Sequence, residues 1–175
     1  MLKKQWPAFV LAFVLPLVGV FWWWGGFNGV EVTQTEAGPY RYAYLEYDGP
    51  ISNMRKTQRR ALDEFNAAKV EAGDTINVIL SDPRAADGKV RAHVGYTLAA
   101  DALLPNGLIE GRIERRPIYQ ARVNAVILLA PSKAYQALAN VLKARGEDIT
   151  MPTVELYRPA GERTRIGTFT LEMNR

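Results

Sequence analysis

The chain has 175 residues, which is enough for one domain with a well-filled core and leaves little room for a second. Lys3 and Lys4 supply two of its 22 basic residues, and the remaining 20 against 18 acidic residues are too small an excess to indicate nucleic-acid binding. The absence of cysteine excludes disulfides and thiolate metal sites, and the single histidine excludes multi-histidine metal sites. Because glycine-rich phosphate-binding loops are missing as well, we expect no metal, no cofactor and no nucleic-acid partner.

The amino terminus begins with an uncharged apolar stretch. Its core, Trp6–Trp24, covers 19 positions, or about 28 Å of helix at roughly 1.5 Å per residue, which matches the hydrocarbon core of a bilayer. No small-x-small cleavage site follows the stretch, which favours an uncleaved anchor over a signal peptide. We therefore predict a transmembrane helix within residues 1–27 and a globular domain in residues 28–175.

Charged residues on the two sides of this stretch predict its orientation. Lys3 and Lys4 precede it, whereas Glu31 and Glu36 are the first charged residues after it. By the positive-inside rule, the amino terminus would lie in the cytoplasm and the domain in the periplasm or outside the cell. The expected localisation is that of a single-pass membrane protein, with the membrane as one partner.

The first half of the domain is predicted to contain an aromatic strand. After a short strand near Val30, the segment Tyr40–Tyr47 alternates with the period of two that is typical of a strand. Tyr42 and Tyr44 share one face of this strand, and Ala43 lies on the other. In a sheet with helices on one side, Ala43 would be buried beneath a helix and the tyrosines would face the opposite way.

An amphipathic helix follows the aromatic strand. Ser52 is a suitable N-cap, apolar residues recur along one stripe, and Gly73 is predicted to end the helix. The arginine-rich side of this helix is interpreted as a solvated face. Two strands are predicted next, over Thr75–Leu80 and Val90–Ala99.

A turn at Pro105-Asn106-Gly107 separates this half from a second half that repeats the same plan. We therefore predict an α+β fold with two β-α-β-β halves, residues 28–104 and 107–175, related by a pseudo-two-fold axis. Helices would cover one face of an antiparallel sheet, and a groove between the halves would open on the other face. The predicted elements of the second half are strands over Gly111–Glu114, Ile118–Leu129, Thr153–Tyr157 and Arg165–Met173, and a helix opened by Pro131 and Ser132 and closed by Gly146.

Alternation in the next-to-last strand points to the groove. Val154 and Leu156 would pack in the core, so Glu155 and Tyr157 would face the opposite way. A carboxylate at the base of an apolar, aromatic groove can pair with a cation or acquire a raised pKa that suits acid-base chemistry. Glu155 could equally be a surface residue paired with an arginine, and the tyrosines could simply pack in the sheet. The predicted ligand-binding residues are Glu155, Tyr42, Tyr44, Tyr96 and Tyr157.

Three short motifs follow one another along the chain. They are Ala43-Tyr44 followed by Gly49-Pro50, Leu80-Ser81-Asp82-Pro83 before a strand, and Glu155-Leu156-Tyr157 with Pro159. In this order they resemble the GyrI-like (gyrase-inhibitor-like) small-molecule-binding domain, over residues 30–173. The resemblance implies repeated β-α-β-β units with helices on one sheet face and an aromatic-lined groove on the other. In several members an acidic residue in the strand before the final hairpin meets a cationic or electrophilic ligand, and that position corresponds to Glu155.

The chain departs from the family pattern at two places. Tyr47-Asp48 stands where the family usually has a histidine before Gly-Pro, and Ala130-Pro131-Ser132 stands in place of the second Gly-Pro-Tyr. The ligand class is therefore not carried over from the family. The resemblance also suggests that the predicted anchor replaces the DNA-binding headpiece of related regulators, as in membrane-tethered relatives.

Three functions are compatible with these patterns. We favour a non-enzymatic, membrane-tethered domain that binds a small amphipathic or cationic, aromatic ligand through Glu155 and nearby tyrosines. The first alternative is a hydrolase of reactive electrophiles, in which Glu155 would act as general base for water. The second is a protein-interaction receptor with a vestigial groove, which an apolar surface patch would support.

Overall fold

The computed structural model describes residues 6–82, 88–161 and 166–175, and it describes the side chains of the first helix from Leu11 onward. Lys3, Lys4, Pro83 and Arg165, which the sequence analysis used, lie outside the described residues. This part of the chain contains three α-helices and a single antiparallel sheet of eight strands, which confirms the α+β class. In chain order the elements are α1 (Trp6–Trp23), β1 (Glu31–Ala37), β2 (Tyr40–Pro50), a 3-10 turn (Ile51–Asn53), α2 (Met54–Ala68), β3 (Thr75–Ile79), β4 (Lys89–Thr97), β5 (Ile109–Ile113), β6 (Arg116–Val126), α3 (Ala130–Lys143), β7 (Thr153–Pro159) and β8 (Ile166–Asn174).

The order of strands in the sheet is β1-β6-β8-β7-β3-β4-β2-β5. The segments β2-α2-β3-β4 and β6-α3-β7-β8 follow the same order of elements, and their strands β3 and β7 pair at the centre of the sheet. The outer strands cross between these segments, because β1 pairs with β6 and β5 pairs with β2. Each segment is therefore completed by a strand that lies next to the other segment in the sequence.

Helix α2 packs on the half of the sheet formed by β2 and β4. Its buried residues recur at helical spacing and include Ala61 and Phe65, which contact Ala43 and Leu98. The predicted N-cap Ser52 lies instead in the 3-10 turn. The helix ends earlier than predicted, at the left-handed residue Lys69, because the backbone there already turns back to bond with the last helical turn.

Helix α3 packs on the other half of the sheet, over β6 and β8. It begins at Ala130, with Pro131 in its first turn, where the missing N–H removes no helical hydrogen bond. Ala134, Leu138 and Leu142 form its fully buried stripe. The two helices therefore lie on the same face of the sheet, as predicted, with a space between them.

The opposite face of the sheet is also filled by apolar side chains. Tyr42 and Tyr44 are only 4% and 8% exposed and pack with Ile76 and Val154. The Tyr40 hydroxyl donates a 2.6 Å hydrogen bond to Glu172 and so joins β2 to β8 across three intervening strands. The sheet must curve to bring these strands together, which makes this face concave. Because the curvature packs the tyrosines into a core, they do not line the open groove that was predicted on this face.

The amino-terminal segment forms α1, and its end is held to the domain by a hydrogen bond from the Val126 N–H to the Trp24 carbonyl. Within the described residues, no helix combines the length and apolar character that crossing a bilayer requires. The predicted transmembrane anchor is thus not supported, and the single-pass localisation with a cytoplasmic amino terminus and an exported domain is contradicted.

Candidate functional site

A cavity of about 470 Å³ opens between the start of α2 and the face of α3. Its volume falls within the roughly 300–1,000 Å³ that is usual for small-molecule sites. Its walls are mostly aliphatic and thioether side chains, and Glu155 is the acidic residue contributed by the sheet. The lining residues are Ile51, Met54, Ile79, Asp82, Pro131, Tyr135, Gln136, Ala139, Ile149, Met151 and Glu155.

Strand β7 places Glu155 in this cavity by simple alternation. Val154 and Leu156 pack on the concave face with Tyr42 and Tyr44, so Glu155 and its neighbours two residues away turn towards the helices. The predicted alternation is therefore correct. The prediction that Glu155 faces away from the helices is wrong, because both faces of the curved sheet carry an apolar core and the sequence pattern does not distinguish them.

The Glu155 carboxyl has polar neighbours, and none of its neighbours in the described structure is basic. Burial raises its pKa, and hydrogen bonds from Tyr135 and Asn77 act in the opposite direction. Among the described residues that line the cavity there is no lysine, arginine or histidine, and the other charged residue is Asp82. Among the described lining residues, none supplies a positive charge to balance the Glu155 carboxylate.

Tyr135 connects Glu155 to the adjoining strand position. Its hydroxyl lies 2.9 Å from the Thr153 hydroxyl and also hydrogen-bonds with Glu155. Burial raises the pKa of Tyr135, and the nearby negative charge of Glu155 adds to the effect. The phenol therefore stays protonated at neutral pH and can donate a hydrogen bond to the carboxylate.

The five predicted ligand-binding residues do not come together. Glu155 lines the cavity, and Tyr157 lies on the same face but packs against the core under α3. Tyr96 lies under α2, with its ring edge-on to Phe65 at a centroid distance of 5.7 Å. Tyr42 and Tyr44 lie on the concave face, so a ligand in this cavity would contact neither of them.

The single histidine lies beside these two tyrosines on the concave face. The Tyr44 ring stacks on His93 at a centroid distance of 3.9 Å, and the Tyr42 hydroxyl lies 3.0 Å from His93 Nδ1. Burial lowers the pKa of His93. The imidazole therefore makes its polar and stacking contacts within the sheet.

Most of the cavity wall could not be predicted from the sequence. Met54 of α2 and Tyr135 of α3 line the cavity, but helical spacing shows only that such residues face the sheet. Met151 and Ile149 lie in the segment before β7 and carry no periodic signal at all. A tyrosine on the core-facing stripe of a helix was the one available hint, because its hydroxyl needs a buried partner.

No family model matches this chain, and no curated protein sequence matches it. Among solved structures, the EcmrR C-terminal domain aligns with a TM-score of 0.63 and 10% identity, covering 83% of this chain and 96% of that one. A chain of an EcmrR–DNA complex aligns with a TM-score of 0.63 and 11% identity, covering 99% of this chain and 68% of that one. SAV2435 bound to tetraphenylphosphonium aligns with a TM-score of 0.55 and 11% identity, covering 82% of this chain and 93% of that one.

At these identities the likeness shows the fold alone. The neighbours share the α+β architecture with this chain, and one of them was determined with a small organic cation. The comparisons are therefore consistent with the fold that the sequence motifs indicated.

Proposed function

We propose that this chain is a small-molecule-binding domain whose ligand occupies the cavity between α2 and α3. The observation that carries the proposal is the Glu155 carboxyl group, which lines an apolar cavity that has no basic side chain among its described lining residues. We interpret the two β-α-β-β segments as a duplicated unit, with the cavity between their helices. Domain limits at residues 28–175, with halves at 28–104 and 107–175, remain part of this interpretation.

The chemistry of the cavity favours an apolar or aromatic organic cation. A carboxylate that is removed from water without a counter-charge is costly, and a cationic ligand would supply the positive charge that the described lining residues do not. An apolar ligand would displace water from the aliphatic walls, which is favourable. The side chains of Met54 and Met151 can adjust to ligands of different shape. Tetraphenylphosphonium, which is bound to the structural neighbour SAV2435, combines these properties.

Tetraphenylphosphonium is expected to raise the melting temperature of the full-length chain, whereas the similar but uncharged triphenylphosphine oxide should raise it less. Glu155→Gln keeps the size of the side chain and removes the charge, so we expect it to weaken tetraphenylphosphonium binding by about 10- to 100-fold, or roughly 1.4–2.8 kcal/mol. Thermal melting with isothermal titration calorimetry would measure both effects. Equal binding of the cation to the wild type and to Glu155→Gln would contradict the proposal.

A hydrolase function is the second candidate, because a carboxyl group with a raised pKa lies beside the buried Tyr135 hydroxyl. Glu155 would take a proton from water, and the phenol would orient the carboxylate. If this holds, Glu155→Gln should lower the turnover of an aryl ester or epoxide by at least about 100-fold, and Tyr135→Phe by less, because general-base catalysis contributes roughly 10²- to 10⁴-fold. Steady-state kinetics would decide: rates equal to those of buffer in all three proteins would exclude the enzyme.

Two further predictions receive no specific support. The cavity is open in the described structure, whereas the protein-interaction hypothesis called for a vestigial groove. The absence of a nucleic-acid partner stays a prediction, since one structural neighbour was determined in a complex with DNA. Neither point changes the experiment on Glu155, which tests the cavity directly.

A further inference from the structure

Each element packed around Glu155 contributes an identifiable neighbour. Asn77 of β3 and Leu171 of β8 are its partners in the sheet, and Tyr135 approaches from α3. From α2 the cavity receives only the Met54 side chain. Among the described lining residues, the other charged one is Asp82, which follows β3.

Asn77 is the unusual neighbour in this set. It is directly opposite Glu155 in the sheet and hydrogen-bonds with it, yet its side-chain oxygen is buried without a hydrogen-bond partner in the described structure. A buried acceptor without a donor costs roughly 1–3 kcal/mol. The carboxyl of Glu155, which already hydrogen-bonds with Asn77, could supply this donor if it carried a proton.

An asparagine side chain can serve either protonation state of the carboxyl. Its amide nitrogen donates to a carboxylate, and after a 180° turn of the amide its oxygen accepts from a carboxylic acid. Tyr135 has the same flexibility, because its hydroxyl can donate to the carboxylate or turn towards the Thr153 hydroxyl, 2.9 Å away. The two partners can thus accommodate both forms of Glu155 without a change in the fold.

We propose that this cavity exchanges a proton for an organic cation: Glu155 is a neutral carboxylic acid in the ligand-free protein and a carboxylate when the cation is bound. The O–H bond of the acid breaks on binding, its proton goes to the solvent, and the ligand's positive charge takes its place. Charge balances, because one positive charge enters the cavity and one leaves it. This inference rests on the proposed function and adds a pH dependence to it.

The direction of the pH dependence follows from the burial of Glu155. Burial raises its pKa above the ordinary value, so below the raised value each bound cation must displace a proton. In that range the affinity for the cation should increase up to tenfold per pH unit. Above the raised pKa of Glu155 the affinity should stay constant. The ligand-free protein should behave in the opposite sense: its stability should fall as pH rises from the ordinary carboxyl pKa to the raised one, since the native state binds the proton more tightly.

The experiment uses tetraphenylphosphonium because this cation has no proton of its own to exchange. Calorimetric titration of the full-length chain in phosphate and in Tris buffer, at several pH values between 5 and 8, gives the number of protons released per ligand. We expect a release that approaches one proton at the acidic end and a release near zero for triphenylphosphine oxide. In urea unfolding without ligand, the wild type should lose stability between pH 5 and 8 relative to Glu155→Gln.

Variants of the two partners test their positioning roles. Asn77→Leu and Tyr135→Phe each remove a donor to the carboxylate, so both should move the midpoint of the affinity profile to higher pH. Asn140→Ala, at an exposed position on α3, serves as the matched control and should leave the midpoint unchanged. A purely structural role of Asn77 would lower stability without moving the midpoint, and that result would count against the inference.

The possible outcomes separate the inference from the proposed function. If the cation binds through Glu155 with no proton release and the same affinity from pH 5 to 8, the exchange is disproved and the binding function stands. If the cation binds equally well to Glu155→Gln, or does not bind at all, the proposed function fails and the exchange fails with it.

Discussion

Phe65→Ala is expected to lower the free energy of unfolding by about 3–5 kcal/mol, the usual cost of deleting a buried aromatic ring. Phe65 is completely buried on α2, between Ala43, Leu98 and the edge of the Tyr96 ring. No neighbouring element can move into the space that the ring would leave, because the surrounding strands are hydrogen-bonded on both sides. Urea unfolding followed by circular dichroism would measure the loss.

Two control variants sharpen this measurement. Arg60→Ala changes an exposed position on the same helix and should cost no more than about 0.5 kcal/mol. Phe65→Leu keeps most of the buried volume and should cost clearly less than Phe65→Ala. A loss below about 1 kcal/mol for Phe65→Ala would show that α2 does not hold the sheet as described.

Glu172→Ala should destabilise the protein by a similar amount, about 3–5 kcal/mol, because it leaves a charged partner buried without compensation. Glu172 is 1% exposed and lies on the concave face. It accepts hydrogen bonds from the Tyr40 hydroxyl at 2.6 Å and from Arg116 Nη2 at 3.0 Å. The other terminal nitrogen of Arg116 is buried without a partner in the described structure. Glu172 is the carboxylate that balances the positive charge of the guanidinium there.

A double replacement separates the ion pair from the packing around it. Burial raises the pKa of Glu172 in spite of Tyr40 and Arg116, which indicates that desolvation outweighs the gain from both partners. Glu172→Leu combined with Arg116→Met should therefore recover most of the stability that Glu172→Ala loses. Urea unfolding of Glu172→Leu, of Arg116→Met and of the variant that combines them forms a double-mutant cycle. Additive losses in the double variant would contradict an energetic link between the two residues.

The concave face and the helix face have different tasks in this structure. Tyr40, Glu172 and Arg116 draw the sheet into its curve, and Tyr42 and Tyr44 fill the space enclosed by the curve. On the helix face, α2 and α3 each cover one half of the sheet and leave the cavity between them. The cavity therefore follows from the repeated order of elements, and its chemistry follows from the single carboxyl that β7 turns into it.

Local patterns in the sequence determined the α+β class, the order of the elements and the alternation that places Glu155 on the opposite face from Val154. The reason is that the helical and strand periods depend only on neighbouring residues. The acidic position in β7 could be singled out for the same reason, together with its resemblance to a known family.

Only the tertiary structure decided on which face of the sheet Glu155 lies and which residues surround it. The closure between Tyr40 and Glu172 joins positions 132 residues apart, and no local pattern indicates that it will bury the tyrosines of β2. The meeting of Glu155 with Tyr135 likewise depends on how α3 lies across the sheet, and the exchange of β1 and β5 between the segments depends on strand pairing over long separations. These contacts arise from packing and hydrogen bonding between distant segments, so they exist only once the whole sheet has formed.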